Sequence, residues 1–345
     1  MVNPLEQDLN HILAHTEGLW DELRGKRIFI TGGTGFFGCW LLESFAWAND
    51  RLGLGASALV LTRDPDAFGR KAPHLAGHPA IRFHTGDVRS VEFPAGEFSH
   101  VIHAATEASA KLNDENPLLM LDTIVEGTRR TLEFARRCGA QKYLLTSSGA
   151  LYGKQPPDLA HIPEEYVGGL DPLDPRSVYG EGKRIAEMLC ALYAQQHGLE
   201  TKIARCFAFV GPYLPLDIHF AIGNFIRDGL RGGPIQVKGD GTPYRSYLYA
   251  ADLAIWLWTI LFRGESCRPY NVGSEAEVTI KDLAHTVAQV FQPPVEVRTA
   301  KQVVPGKPAE RYVPSTRRAQ SELGLKQRVD LGESIQRTIA WHTGT

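Results

Sequence analysis

Residues Arg27-Ile28-Phe29-Ile30-Thr31 read as a buried strand that runs straight into Gly32-Gly33-Thr34-Gly35-Phe36-Phe37-Gly38, and residues 39–47 then read as a helix. Gly32, Gly35 and Gly38 therefore stand at GxxGxxG spacing inside a strand–turn–helix unit. Glycine lets the backbone turn tightly and approach a pyrophosphate, and the helix that follows offers N–H groups and a positive dipole end to the phosphates. The setting makes Gly32, Thr34, Gly35, Phe36, Phe37 and Gly38 candidate dinucleotide contacts. A tight turn with no ligand is the plainer alternative.

The rest of the chain repeats the alternation. Further strands are expected at 58–62, 81–84, 100–103, 142–146 and 201–205, with long helices at 118–138 and 179–197, each closed by a glycine (Gly139, Gly198). Strands alternating with helices indicate an α/β fold, a doubly wound parallel sheet of Rossmann-like type. Leu5, Leu9 and Ile12/Leu13 fall at helical spacing, so residues 1–24 read as a helical extension. Residues 25–210 read as the dinucleotide-binding domain, and 211–345, less regular, as mainly a smaller mixed α/β substrate-binding subdomain.

Composition narrows the class. Hydrophobic residues make up 43% and charged residues 22%, as in a folded globular protein. A formal charge of −2 disfavours a nucleic-acid binder. The most apolar stretch, 253–262, falls short of the ~20 residues that span a bilayer, so no membrane partner is expected. Five scattered cysteines with no metal-ligand spacing, and no basic-then-apolar leader, lead us to expect a cytoplasmic protein without a metal site.

Further features carry chemistry. Tyr179 and Lys183, in Tyr179-Gly180-Glu181-Gly182-Lys183, are four apart and share a helix face. A free phenol titrates near ~10, and a nearby ammonium favours its phenolate. The pair can pass a proton to or from a hydroxyl while hydride moves to a nicotinamide. Ser148 follows the fifth strand, where a hydroxyl points into the ligand crevice of such a sheet and can bind the reacting oxygen. At the end of the second strand, where an acid usually holds the adenosine ribose, stand Arg63 and Asp64. Arg63 tilts the cofactor toward NADP by pairing with a 2′-phosphate; Asp64 could still serve NAD. Asp87, with Val88 beside it, is a candidate for the adenine end.

Together these residues resemble the NAD-dependent epimerase/dehydratase family of extended short-chain dehydrogenases/reductases. The resemblance covers about 25–330 and includes the glycine stretch, His103-Ala104-Ala105, Ser148 four residues before Tyr152-Gly153, and the Tyr179/Lys183 pair. Gly211-Pro212, Tyr249-Ala250-Ala251-Asp252 and Asn271-Val272-Gly273-Ser274 complete it. It implies NAD or NADP held partly by Ala104, Ala105, Tyr179 and Lys183, and a nucleoside-diphosphate sugar as partner. It also implies Arg245 on the diphosphate, Asn224 against the nucleotide, His219 or Asp217 near sugar or base, Glu107 at the sugar, and a homodimer through helices 118–138 and 179–197. Two positions depart from the pattern: Ala208 and Ile124 replace usual asparagines.

The same resemblance orders the reactions. Family 4,6-dehydratases carry Asp-Glu where this chain has Gly149-Ala150, decarboxylases usually have glutamate at the position of Ala150, and 3,5-epimerases have cysteine there. An epimerase acting at a hexose carbon, C4, needs only Tyr179, Ser148 and bound dinucleotide, and is the first reading. An NADPH-dependent 4-keto-sugar reductase is second. A dehydratase using Glu107 follows, and a non-catalytic dinucleotide sensor is disfavoured because tyrosine, lysine and serine are all kept.

Overall fold

The structure, a computed structural model, describes residues 3–106, 110–218 and 220–344, with the side chains of all of these except 110 and 111. Its central sheet has seven strands: β1 (Arg27–Thr31), β2 (Ser57–Thr62), β3 (Ile81–Thr85), β4 (His100–His103), β5 (Lys142–Ser148), β6 (Glu200–Cys206) and β7 (Pro269–Val272). Their order is β7-β6-β5-β4-β1-β2-β3. Pairing is parallel along β3-β2-β1-β4-β5, with Thr31 opposite both Leu61 and His103. The order reverses at β1 and β4, which opens the crevice where sheets of this kind bind ligands. Ile28, Phe29 and Ile30 are all buried, as expected of a strand covered on both faces.

The helices of this part of the chain are α1 (Glu6–His15), α2 (Phe36–Leu52), α3 (Pro65–Lys71), α4 (Pro73–Ala76), α5 (Ala110–Glu115), α6 (Pro117–Arg137) and α7 (Val178–His197). Helix α2 is longer at both ends than the 39–47 read from sequence. It starts directly after Gly35 and stops at Gly53, whose φ of 57° is left-handed. Helix α6 begins with Pro117 behind Asn116, whose side chain accepts from Leu119 N at 3.2 Å. Helices α3, α4 and α5 and strand β7 were not read from the sequence.

The chain divides into two compact units, neither a single stretch. The first holds residues 1–151, 170–205 and 254–270. Its core includes Phe29, Phe98 and Phe134, with Phe29 and Phe134 centroids 4.6 Å apart, and the buried aliphatics Val101, Ile124, Leu132 and Ile203. The N-terminal extension belongs here. Trp20 is 1% exposed, its ring centroid lies 4.8 Å from that of Trp258, and its Nε1 donates to Thr16 Oγ1 at 2.8 Å. Glu22 ties the extension to the start of the sheet through buried His100 Nε2 (2.8 Å) and Lys142 Nζ (2.7 Å).

The second unit holds residues 152–169, 206–253 and 271–345. Three of the family-like stretches turn out to brace it. Tyr152 Oη donates to Asn271 Oδ1 at 2.8 Å, and Asn271 Nδ2 donates to Ile162 O and Ser315 O at 2.9 and 3.0 Å. The buried Glu164 carboxylate accepts the Asn271 N–H at 2.8 Å, while burial pushes its pKa up. Asp252 Oδ2 accepts the N–H groups of Arg328 and Val329 at 2.8 and 3.1 Å.

Candidate active site

The glycine turn is a crossing of backbones at which side chains do not fit. Gly32 has φ +69°, and a Cβ on it would lie 2.3 Å from Ala104 O; a Cβ on Gly38 would lie 2.3 Å from Gly32 O. Gly35 N donates back to Gly32 O at 3.1 Å, and no side chain caps α2. The first turn of α2 thus presents its amide ends at the turn, and this cradle fits a dinucleotide pyrophosphate. Thr34, Phe36 and Phe37 are half-buried within it. Cys39, one turn into α2, is no nucleophile: burial pushes its thiol up to about 11.

Strand β4 is locked to the cradle by a histidine whose part the sequence did not disclose. Ala104 N donates to Thr31 O at 3.1 Å, and Ala105 N to Thr31 Oγ1 at 3.3 Å. Thr31 Oγ1 also meets His103 Nδ1 at 2.8 Å, and His103 Nε2 meets Thr128 Oγ1 at 3.3 Å. The Thr128 hydroxyl proton goes to Ile124 O at 2.6 Å, so Thr128 accepts from Nε2–H and Nδ1 accepts from Thr31. Burial, aided by the Lys183 charge, pushes His103 down to about 3, so the ring is neutral. Ala104 and Ala105 are thereby fixed beside Gly32, as their proposed cofactor role requires.

Lys183 is 2% exposed, and its Nζ donates to Thr146 O (2.8 Å) and Thr106 Oγ1 (3.0 Å). These bonds hold the ammonium at the carboxyl ends of β4 and β5, with Nζ 5.8 Å from the Tyr179 ring centroid. Gly180, next to Tyr179, is needed for close approach. A Cβ there would lie 2.3 Å from Leu170 Cδ1 and 2.8 Å from Ala150 O, so the start of α7 rests on the turn that follows Ser148. Ser148 Oγ accepts from Ala150 N at 3.2 Å. Ser147 is engaged elsewhere: its Oγ donates to Glu187 Oε1 at 2.6 Å, and Arg205 Nη2 holds Glu187 Oε2 at 2.7 Å. Thr106 was not singled out from sequence, because only the tertiary fold brings it to Lys183.

At the far end of the crevice Arg63 is exposed directly after β2. The Asp64 carboxylate is occupied as the cap of α3, accepting from Ala67 N at 2.8 Å. Asp87 is gripped by Arg89, whose Nε and Nη2 donate to its two oxygens at 2.9 Å each. That guanidinium, with the more distant charge of Arg63, holds the Asp87 carboxyl down at about 2. Val88 is buried, and its Cγ1 would lie 3.0 Å from a Cβ on Gly127 of α6.

In the second unit Asn224 lies on the helix Ala221–Leu230, where its Oδ1 accepts from Arg227 at 2.8 Å. Arg245 lies on the strand Tyr244–Ser246, half-buried, with Nη1 on Tyr244 O at 2.8 Å. Asp217 lies in a loop between Leu216 and Ile218. Glu107 and His219 lie outside the described residues.

A parallel sheet with a glycine cradle after β1 and a buried lysine beside a helical tyrosine defines a dinucleotide-dependent α/β enzyme of the short-chain dehydrogenase/reductase type. Residues 28–273 match the profile of the NAD dependent epimerase/dehydratase family, and the chain belongs to that family. It is 34% identical over 311 residues to UDP-glucuronic acid decarboxylase 6 of Arabidopsis thaliana, covering 90% of this chain and 86% of that one. Among solved structures it is similar to an epimerase from Methanothermobacter thermautotrophicus, with a TM-score of 0.79 and 22% identity over 99% of this chain and 97% of that one. It is also similar to a dTDP-glucose 4,6-dehydratase from Streptomyces venezuelae with NAD bound, with a TM-score of 0.76 and 22% identity over 92% and 97% of the two chains.

Proposed function

We propose that the chain is a nucleoside-diphosphate-sugar epimerase that holds NAD or NADP and moves hydride at a hexose carbon, C4. The observation that carries this is the Lys183 ammonium, locked between Thr106 and Thr146 beside Tyr179, with alanine at position 150 on the adjoining turn. A bound nicotinamide supplies the hydride acceptor and donor. Lys183 favours the Tyr179 phenolate, and Tyr179 takes the proton of the sugar hydroxyl and returns it. Ser148 accepts from Ala150 N, which leaves its own O–H for the reacting oxygen. The curated relative is by name a UDP-glucuronic acid decarboxylase, which supports a nucleoside-diphosphate sugar as substrate. Its reaction is not carried over: the resemblance puts the decarboxylases' glutamate at Ala150, which cannot hold a proton. We assign the sugar nucleotide to the second unit, with Arg245 on the diphosphate and Asn224 against the nucleotide. We assign a homodimer to α6 and α7.

The test is to supply UDP-glucose, UDP-N-acetylglucosamine and UDP-glucuronic acid, each deuterated at C4, to the purified protein without added dinucleotide. The expected result is a C4 epimer that keeps its label, with stoichiometric NAD or NADP released on denaturation. Carbon dioxide from UDP-glucuronic acid would overturn the reading in favour of decarboxylation. The second reading, a 4-keto-sugar reductase, is favoured by exposed Arg63 and by the occupied carboxylates of Asp64 and Asp87, which fit exchangeable NADPH. An empty protein that oxidises NADPH with a 4-keto sugar would establish it.

A further inference from the structure

One peptide of the glycine turn is gripped from both sides. The carbonyl of Thr34 and the N–H of Gly35 belong to the same planar trans unit and point opposite ways. The N–H closes the turn onto Gly32 O at 3.1 Å. The carbonyl accepts from Lys71 Nζ at 2.9 Å, and Cys39 Sγ lies 3.9 Å from it. Lys71 is the last residue of α3, 37 positions further along the chain. Helix α3 is itself fixed at both ends. Asp64 caps its start, and after its finish the fully buried Ala72 leads into α4, where His74 Nε2 meets Glu43 Oε1 at 2.7 Å. Glu43 is 2% exposed on α2, four residues beyond Cys39 on the same helix face. A carboxylate so buried is costly unless paired. The charges of Lys71 and Glu43 both bear on the Cys39 thiol. The glycine turn, α2 and the α3–α4 pair are thus stitched together by Lys71, Glu43 and His74. Such a stitch has a use. Glycines give the turn its shape but also the most backbone freedom to lose, and a site that must order itself on binding loses affinity.

We propose that Lys71 is a positioning residue for dinucleotide binding, which holds the Thr34–Gly35 peptide, and with it the glycine turn, in the binding shape before the ligand arrives. It acts through the backbone and not on the ligand, while Glu43 and His74 keep α4, and so the end of α3, against α2. The proposal rests on the reading that the dinucleotide lies along the glycine turn. The test uses full-length wild type, Lys71→Met and Lys71→Arg, freed of carried dinucleotide on charcoal. Equilibrium dialysis gives the dissociation constants of NAD and of NADP separately. Hydrogen–deuterium exchange of the unliganded proteins is read in the peptide that covers residues 32–38. Lys71→Met should weaken NAD and NADP alike, about tenfold, and should speed exchange at 32–38 by a similar factor while β1 stays protected. Lys71→Arg, which can still donate to the carbonyl, should recover most of both. Unchanged dissociation constants in Lys71→Met overturn the proposal. So does weakening confined to NADP, which would make Lys71 a ligand contact, and so does weakening without faster exchange at 32–38. Faster exchange that extends into β1 also overturns it, since Lys71 would then be a general support of the fold. Failure of the underlying reading looks different: the wild type itself would bind neither dinucleotide, while the exchange difference at 32–38 would persist.

Discussion

Successive side chains on a strand project to opposite faces, and at the end of β5 this separates two serines that the sequence presents as equals. Ser147 is tied to Glu187 and Arg205, whereas Ser148 touches only the N–H of Ala150 among the described contacts. Ser148→Ala should cut kcat about a hundredfold, as loss of one donor to a reacting oxygen does, with the melting temperature unmoved. Ser147→Ala should leave kcat alone and cost about 1 kcal/mol in urea unfolding. Tyr179→Phe should abolish turnover while retained dinucleotide stays stoichiometric; undiminished turnover would remove tyrosine from the mechanism. His103 makes a prediction of a different kind. Its folded pKa of about 3 lies below the ordinary 6.5, so between these values the unfolded chain binds a proton that the folded chain does not. Stability from this group is full above pH 6.5 and falls on acidification, by up to about 1.4 kcal/mol per pH unit. His342, lowered by desolvation, acts in the same direction. His74, raised by its bond to the buried Glu43 carboxylate, acts oppositely: its contribution is present below pH 6.5 and lost as pH rises through the raised value. Comparing wild type with His103→Gln at pH 6.5 and 4.5 cancels both. The variant should show the shallower loss of unfolding free energy, and parallel losses would exclude His103 as the acid-sensitive lock.

The N-terminal extension shows how much an added element contributes when its contacts are aromatic and buried. Trp20 sits in a one-turn helix, Trp20–Leu23, that could not stand alone. It is held by Trp258 and by Phe262, whose ring centroid is 6.2 Å away and edge-on. Trp20→Ala should destabilise the chain by about 3–5 kcal/mol in urea unfolding, and the dinucleotide retained per folded molecule should not change. A loss under about 1 kcal/mol would mean that the extension merely lies on the surface. Its helical spacing was legible, and Leu5, Leu9 and Ile12 are indeed buried. So were the first six strands, short segments rich in Ile, Val, Leu, Phe and Thr that alternate with helical stretches. What escaped was short or late. Helix α3 carries its start signal, Asp64 before Pro65, but seven residues give too little periodicity to recognise. Strand β7 has four residues, and only the sheet shows that it joins as the edge next to β6.

Across the whole molecule, the candidate site was legible wherever function sits on the fold's own punctuation. The glycine turn follows β1, Ser148 ends β5, and Tyr179 and Lys183 lie one helical turn apart. Partners supplied by distant segments were not legible. Thr106 under Lys183, Lys71 on Thr34 and Thr128 on His103 join residues 77, 37 and 25 positions apart, and no local spacing announces them. The surface poses the same kind of question for the proposed homodimer. On α7, Ile185, Met188 and Leu192 are 38%, 64% and 40% exposed and fall at i, i+3 and i+7, one apolar stripe. On α6, Leu118 is 73% exposed. The two helices pack closely, since a Cβ on Gly182 would lie 3.1 Å from Ile124 Cδ1, so α6 and α7 form one platform. A second copy laid on it related by a two-fold axis would bring the same stripe against itself. Such symmetry doubles the effect of any change: Met188→Glu places two carboxylates in one apolar interface, each costing several kcal/mol if left unpaired. Sedimentation at micromolar concentration should therefore find the wild type dimeric and Met188→Glu monomeric with its helical content intact. Conservative Met188→Leu should remain dimeric. A wild type that sediments as a monomer, or a Met188→Glu variant that stays dimeric, would show that α6 and α7 are not where two copies meet.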